Sequence, residues 1–189
     1  FDEATAILAG DALQSLSFEL LASCPEVDAD TRVKLVWALT DAAGSAGMVG
    51  GQHIDLAIDR DAAGLQHLEL LHSLKTGALI RAAVRMAAIA ASASPDHLST
   101  LDLYARQIGL GFRVKDDLLD LEGDTESVGI RQGSDLAKNK LTYPSLLGVR
   151  GAREHLNALH QRAVNALEPL GDNAVNLRQL ADYIVNRDY

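Results

Sequence analysis

A chain of 189 residues is long enough to enclose one substantial core, and its length gives no reason to divide it into more than one domain. Seventeen Lys and Arg against 26 Asp and Glu leave a formal charge of −9 with no basic stretch, which excludes a surface built to follow nucleic-acid phosphates. Ala and Leu make up roughly a third of the residues and aromatics only 4%, a balance that excludes an all-β fold, while the lone Cys24 and the lack of a secretory pattern make a reducing cytoplasm the expected address.

The first element is a long core helix over Phe1 to Ser23, with Ile7, Leu8, Ala12, Leu16, Leu20 and Leu21 at helical spacing and Pro25 stopping it. It starts without a capping residue ahead of it, which suggests that residues are missing upstream. Asp28 and Asp30 offer N-caps for a second helix carrying Val33, Val36, Trp37 and Leu39 toward Gly44. The cluster Gly44, Ala46, Gly47, Gly50 and Gly51 signals either a close helix crossing or close backbone approach to a ligand, and both readings stand. Leu65 to Ala91 reads as a helix of seven turns ending before Pro95, and a further helix runs from about Asp96 to Leu121 and ends at Gly123. Gly123 to Gly133 is polar and glycine-rich, the pattern of a loop, and a loop that long in a compact domain is often functional. Short helices follow around Tyr143 to Gly148, Ala152 to Leu167 and Asn173 to Arg187. Arg81 and Arg85 interrupt the most apolar stretch, so no membrane-spanning helix is expected.

The strongest local anomaly is Asp116-Asp117-Leu118-Leu119-Asp120. On a helix these carboxylates crowd one side, at spacings where like charges repel, and they sit near the negative end of the helix dipole. A hard divalent cation relieves both penalties, since Mg²⁺ is typically held by one or two carboxylates together with waters and substrate phosphates. A solvated acidic face is the plain alternative. Lys75-Thr76-Gly77 breaks an apolar helix face with a cation, a hydroxyl and a gap, a set suited to a phosphate oxygen, although a lysine there also fits snorkelling. Lys140 follows the polar loop within chain reach of the acidic run, and Gln52 and Asp55 form a polar pair at helical spacing; simple surface exposure is the plain alternative for each. The six histidines lack zinc-ligand spacing, and no nucleophile elbow occurs.

Five ordered segments resemble the trans-type polyprenyl synthetase family, and within it the bacterial farnesyl diphosphate synthases. They are Leu8 to Leu13, Gly50-Gly51-Gln52-His53-Ile54-Asp55, Lys75 to Ile80, Gly111 to Asp120, and Lys140-Leu141-Thr142-Tyr143-Pro144; the closing Ala181 to Arg187 also fits. The resemblance implies an all-α bundle of the isoprenoid synthase type around a central substrate cavity, with an allylic diphosphate held by Mg²⁺ between two aspartate-rich motifs. Asp116, Asp117 and Asp120 match the second motif. Lys75, Thr76 and Lys140 match positions that grip the allylic diphosphate, Gln52 and Asp55 match polar residues of the same pocket, and Phe112 matches an aromatic near the isopentenyl diphosphate pocket. Arg113 stands where the family usually has Gln. The implied reaction joins an allylic diphosphate to isopentenyl diphosphate, and the family leads to the expectation of a homodimer.

The first aspartate-rich motif and its arginine pair, which normally lie just upstream of the segment matching Phe1 to Leu13, do not occur in these residues. The chain therefore reads as a single all-α domain forming the C-terminal portion of a synthase, inactive alone. Two other readings share parts of this pattern: a non-catalytic helical partner subunit of a prenyl synthase, and a lyase resembling class I terpene cyclases.

Overall fold

The computed structural model describes residues 2–57, 63–127 and 141–188, and among them helices are the only regular elements. In chain order these are α1 (Glu3–Ser23), α2 (Ala29–Ala43), α3 (Met48–Ala57), α4 (Leu65–His72), a π-helical turn (Ser73–Gly77), α5 (Ala78–Ala90), α6 (Pro95–Ser127), α7 (Tyr143–Ala166), a 3₁₀ segment (Glu168–Ala174) and α8 (Val175–Asn186). Among the described residues no helix is long and apolar enough to cross a membrane.

The spine is α6. Its first half, through Tyr104, Ala105 and Ile108, packs with Ala163 of α7, Leu167 at the C-cap of that helix, Ala174 of the 3₁₀ segment and Ala181 of α8. Its second half, through Val114 and Leu118, packs with Leu68 of α4 and Tyr143, Ala152, Leu156 and Leu159 of α7. Each fully buried Leu in such a cluster contributes about 1.5 to 3 kcal/mol relative to an exposed one. Tyr104 adds a polar tie, its hydroxyl donating to the Leu177 carbonyl at 2.9 Å, and burial pushes that hydroxyl up to a pKa of about 12.

Several expectations hold. Asp28 caps α2, accepting from the Thr31 amide at 2.7 Å, and Gly44 closes it. The break foreseen at Gly148 is present, because that residue has φ 71° and ψ 163°, a conformation open mainly to glycine, so α7 bends there.

Others do not hold. The start of α1 is capped, since the Asp2 carboxylate accepts from the Thr5 amide at 2.7 Å. More consequentially, α1 is not a core helix: none of its residues is buried, and Ile7, Leu8, Leu13, Leu16 and Leu20 are exposed. In α2 the buried residues are Leu35, Ala38, Ala42 and Ala43, while Val33 and Trp37 lie outside. Of the described elements α1 packs chiefly on α2, and one neighbour cannot cover a face that wide. The seven-turn helix is interrupted by the π turn. Finally, α6 passes through Gly123 to Ser127. A single interior glycine costs about 1 kcal/mol, too little to end a helix anchored along its whole preceding length. The rest of the foreseen loop, from residue 128, lies outside the described residues.

Candidate functional site

A π turn adds one residue to a helix and is found frequently at functional sites. Here it carries Lys75 and Thr76, and glycines press on it from two sides. A Cβ on Gly51 of α3 would lie 2.3 Å from the Lys75 amide nitrogen and 2.7 Å from its Cα, so no side chain fits there. A Cβ on Gly109 of α6 would stand 3.2 Å from the Gly77 Cα. The glycine at position 51 thus serves a close helix crossing. That crossing brings Asp55, one turn along α3, to Lys75, whose Nζ donates to Asp55 Oδ2 at 2.7 Å with both side chains about one-third exposed. Gln52 and Thr76 are half-buried on the same two elements.

The acidic run occupies α6. Asp116 is held between two guanidinium groups: Arg113 donates to its Oδ2 at 2.8 Å, and Arg187, just past the end of α8, donates to its Oδ1. Arg187 also lies over the Phe112 ring, 4.3 Å from its centroid, which suits a cation on an aromatic face. Asp117 turns inward at 3% exposure, accepting from the Tyr143 amide at 3.1 Å and from Arg113 at 3.3 Å. Asp120 is exposed. Because α6 continues to Ser127, these carboxylates stand more than a turn from its end, and the dipole penalty inferred from the sequence falls away, since that effect is confined to the last turn. The like-charge crowding remains, and Arg113 and Arg187 offset it at Asp116.

Beside the run lies a buried aromatic group. The Tyr143 ring is fully buried, with the His72 ring 5.4 Å and the His155 ring 5.6 Å from it. His155 Nε2 stands 3.3 Å from Glu69 Oε1. Burial lowers the His155 pKa below its ordinary value; the nearby Glu69 charge opposes that shift and Arg162 adds to it.

A cavity of about 990 Å³ opens between α2, the π turn, α5 and α6, with Trp37, Ser73, Gly77, Arg81, Arg85 and Arg106 in its wall. Neither the acidic run nor Lys75 and Thr76 line it.

The structure therefore joins Lys75 with Asp55, and Arg113 with Asp116 and Asp117, while Lys140 lies outside the described residues. Among the described residues no three His, Cys, Asp or Glu side chains are grouped to hold a metal ion unaided. Asp116 and Asp120, one turn apart on α6, still fit an ion that needs only one or two carboxylates and completes its shell with water and phosphate. Sequence reasoning gave no role to Arg187, Tyr143, His72 or His155. Arg187 had a signal in the closing segment, but an arginine near a chain end names no partner without the fold, and the aromatic group combines residues 83 positions apart, from 72 to 155.

A family model for polyprenyl synthetase matches residues 1–174. Farnesyl diphosphate synthase of Escherichia coli is 46% identical over 194 aligned residues, which take in 100% of this chain and 65% of that protein. An FPP/GFPP synthase from Zymomonas mobilis, solved without ligand, superposes with a TM-score of 0.83 at 40% identity, covering 98% of this chain and 62% of the other. A geranyltransferase from Helicobacter pylori, solved with magnesium and isoprenyl diphosphate, superposes with a TM-score of 0.80 at 30% identity, covering 98% and 61%. The chain spans less than two thirds of the length of each of these relatives.

Proposed function

The chain belongs to the polyprenyl synthetase family, and from that premise we propose that the protein is a Mg²⁺-dependent trans-prenyltransferase of the cytoplasm, joining an allylic diphosphate to isopentenyl diphosphate to give a short-chain product such as farnesyl diphosphate. The observation that carries the reading is the pairing, within one family match, of a carboxylate run on α6 with a lysine on a π turn packed against the same helix.

Bound Mg²⁺ would supply positive charge where the departing diphosphate gathers negative charge. Asp116 and Asp120 are the carboxylates we assign to it. Lys75, held by Asp55 until substrate arrives, turns to the allylic diphosphate with Thr76 as a hydroxyl donor, and Gln52 lines the same wall. Lys140 belongs to this set by its position in the family motif. Phe112 and Arg113 are assigned to the isopentenyl side, where Arg113 adds a cation in place of the usual glutamine. The apolar helices exclude water that would quench the allylic cation, and the departing diphosphate takes the final proton, so no protein base is required. A homodimer belongs to the same reading, supported by the exposed apolar side chains of α1 and α2.

The test is a product assay on the full-length protein with Mg²⁺, geranyl diphosphate and isopentenyl diphosphate. A prenyltransferase elongates the allylic substrate only when isopentenyl diphosphate is present; a cyclase-type lyase consumes the allylic diphosphate alone, and a non-catalytic subunit consumes neither. Asp116→Ala is expected to lower turnover by about a hundredfold or more, the scale of losing charge stabilisation at a reacting group. Unchanged turnover would remove Asp116 from the site.

A further inference from the structure

The three carboxylates of the acidic run are not equivalent. Asp117 is 3% exposed, and its two oxygens meet different helices: Oδ2 accepts from the Tyr143 amide at 3.1 Å and Oδ1 from Arg113 at 3.3 Å. Tyr143 is the first residue of α7 after its cap Thr142, so its amide is one of the four that a helix leaves without an internal acceptor. Thr142 serves the Ser145 amide through its own hydroxyl, and Asp117 serves Tyr143 from another helix, placing a negative charge at the positive end of α7. Tyr143 is in turn fixed by its ring, which lies between His72 and His155. His72 is the last residue of α4 and leads directly into the turn that carries Lys75. Two contacts in series thus connect α6, the first turn of α7 and the lysine-bearing turn.

We propose that Asp117 is a positioning residue rather than a metal ligand: it pins the start of α7 to α6 and, through Tyr143 packed on His72, holds the Lys75 turn in register with Asp116 and Asp120. Turning Asp117 toward an ion would strand a buried amide and release Arg113, whereas Asp116 and Asp120 need no such rearrangement of α7. The comparison with Asp116 and Asp120 rests on the proposed function; the anchoring of α7 rests on geometry alone.

The experiment compares Asp117→Asn, Asp117→Ala and Asp116→Asn in the full-length protein. Asparagine keeps an oxygen that can accept from Tyr143, and alanine does not. Calorimetric titration with inorganic pyrophosphate across a Mg²⁺ series gives the Mg²⁺ midpoint, and hydrogen exchange gives the protection of residues 143–147. The Mg²⁺ midpoint is expected to stay within about threefold of the parent in Asp117→Asn and to rise by about tenfold or more in Asp116→Asn. Exchange over residues 143–147 is expected to be unchanged in Asp117→Asn and about tenfold faster in Asp117→Ala. A midpoint raised tenfold in Asp117→Asn with protection unchanged would make Asp117 a ligand and overturn the proposal. So would undiminished protection in Asp117→Ala. If that variant does not fold, the Asn midpoint decides. If the parent protein shows no Mg²⁺-dependent pyrophosphate binding, the functional reading fails, while the exchange comparison still decides the anchoring.

Discussion

Two helices with similar apolar spacing meet opposite fates in this chain. Along α6, Tyr104, Ala105, Ile108, Val114 and Leu118 are all buried, enclosed by α4, α7, α8 and the 3₁₀ segment. Along α1, Ile7 and Leu8 are about two-thirds exposed, and no residue of that helix is buried. An apolar stripe states which face a helix is able to bury; whether it does depends on the neighbours the fold brings to it. Polar residues show the same contrast. Asp117 is tolerated between Val114 and Leu118 where the Tyr143 amide and Arg113 donate to it, while a carboxylate on α1 such as Asp11 is exposed to water.

Mutations at the two ends test that contrast. Leu159→Ala, in the cluster with Val114 and Tyr143, is expected to cost about 3 kcal/mol of unfolding free energy by urea titration, through lost burial and the cavity it leaves. Leu20→Ala on α1, measured at protein concentrations low enough to keep the chain monomeric, is expected to change the same quantity by less than about 0.5 kcal/mol. Comparable costs at the two positions would erase the distinction. A smaller effect is expected from pH. His155 is half-buried and its folded pKa lies below the unfolded value, so the unfolded chain binds more protons as the solution becomes acidic. The neutral form is therefore the one the fold favours. Its contribution is fully present above the unfolded value of about 6.5 and is lost as pH falls below it, down to the folded pKa. Urea titrations at pH 7.5 and 5.5 should show a drop in stability that His155→Gln reduces; an equal drop in the variant would place the pH sensitivity elsewhere.

Most element types and boundaries could be read from periodicity and punctuation: Asp28 and Gly44 bound α2, and Gly148 breaks α7 where only glycine is comfortable. The π turn was not legible, because a single added residue leaves the apolar spacing of Leu68, Leu71, Leu74 and Ala78 close to that of a continuous helix. Nor was the end of α6, since Gly123 stops a helix only where nothing else holds it. Of the candidate site, the residue types and their spacing were visible in the sequence. The different surroundings of the three aspartates were not, because the amide that Asp117 meets on turning inward is 26 residues away. The link between Lys75 and Asp55 depends on Gly51 admitting the π turn, a contact that sequence reading left open between crossing and ligand.

The central claim is that the α6 carboxylates and the Lys75 turn together form a site for a metal-bound diphosphate. It is tested most directly by the melting temperature of the full-length protein with Mg²⁺ alone, inorganic pyrophosphate alone and both together, since a ligand that binds only the folded state stabilises it by mass action. The account predicts a rise with both that exceeds the sum of the separate effects, abolished in Asp116→Ala and reduced in Lys75→Ala. Equal melting temperatures under all three conditions, or a rise that both variants retain in full, would contradict it.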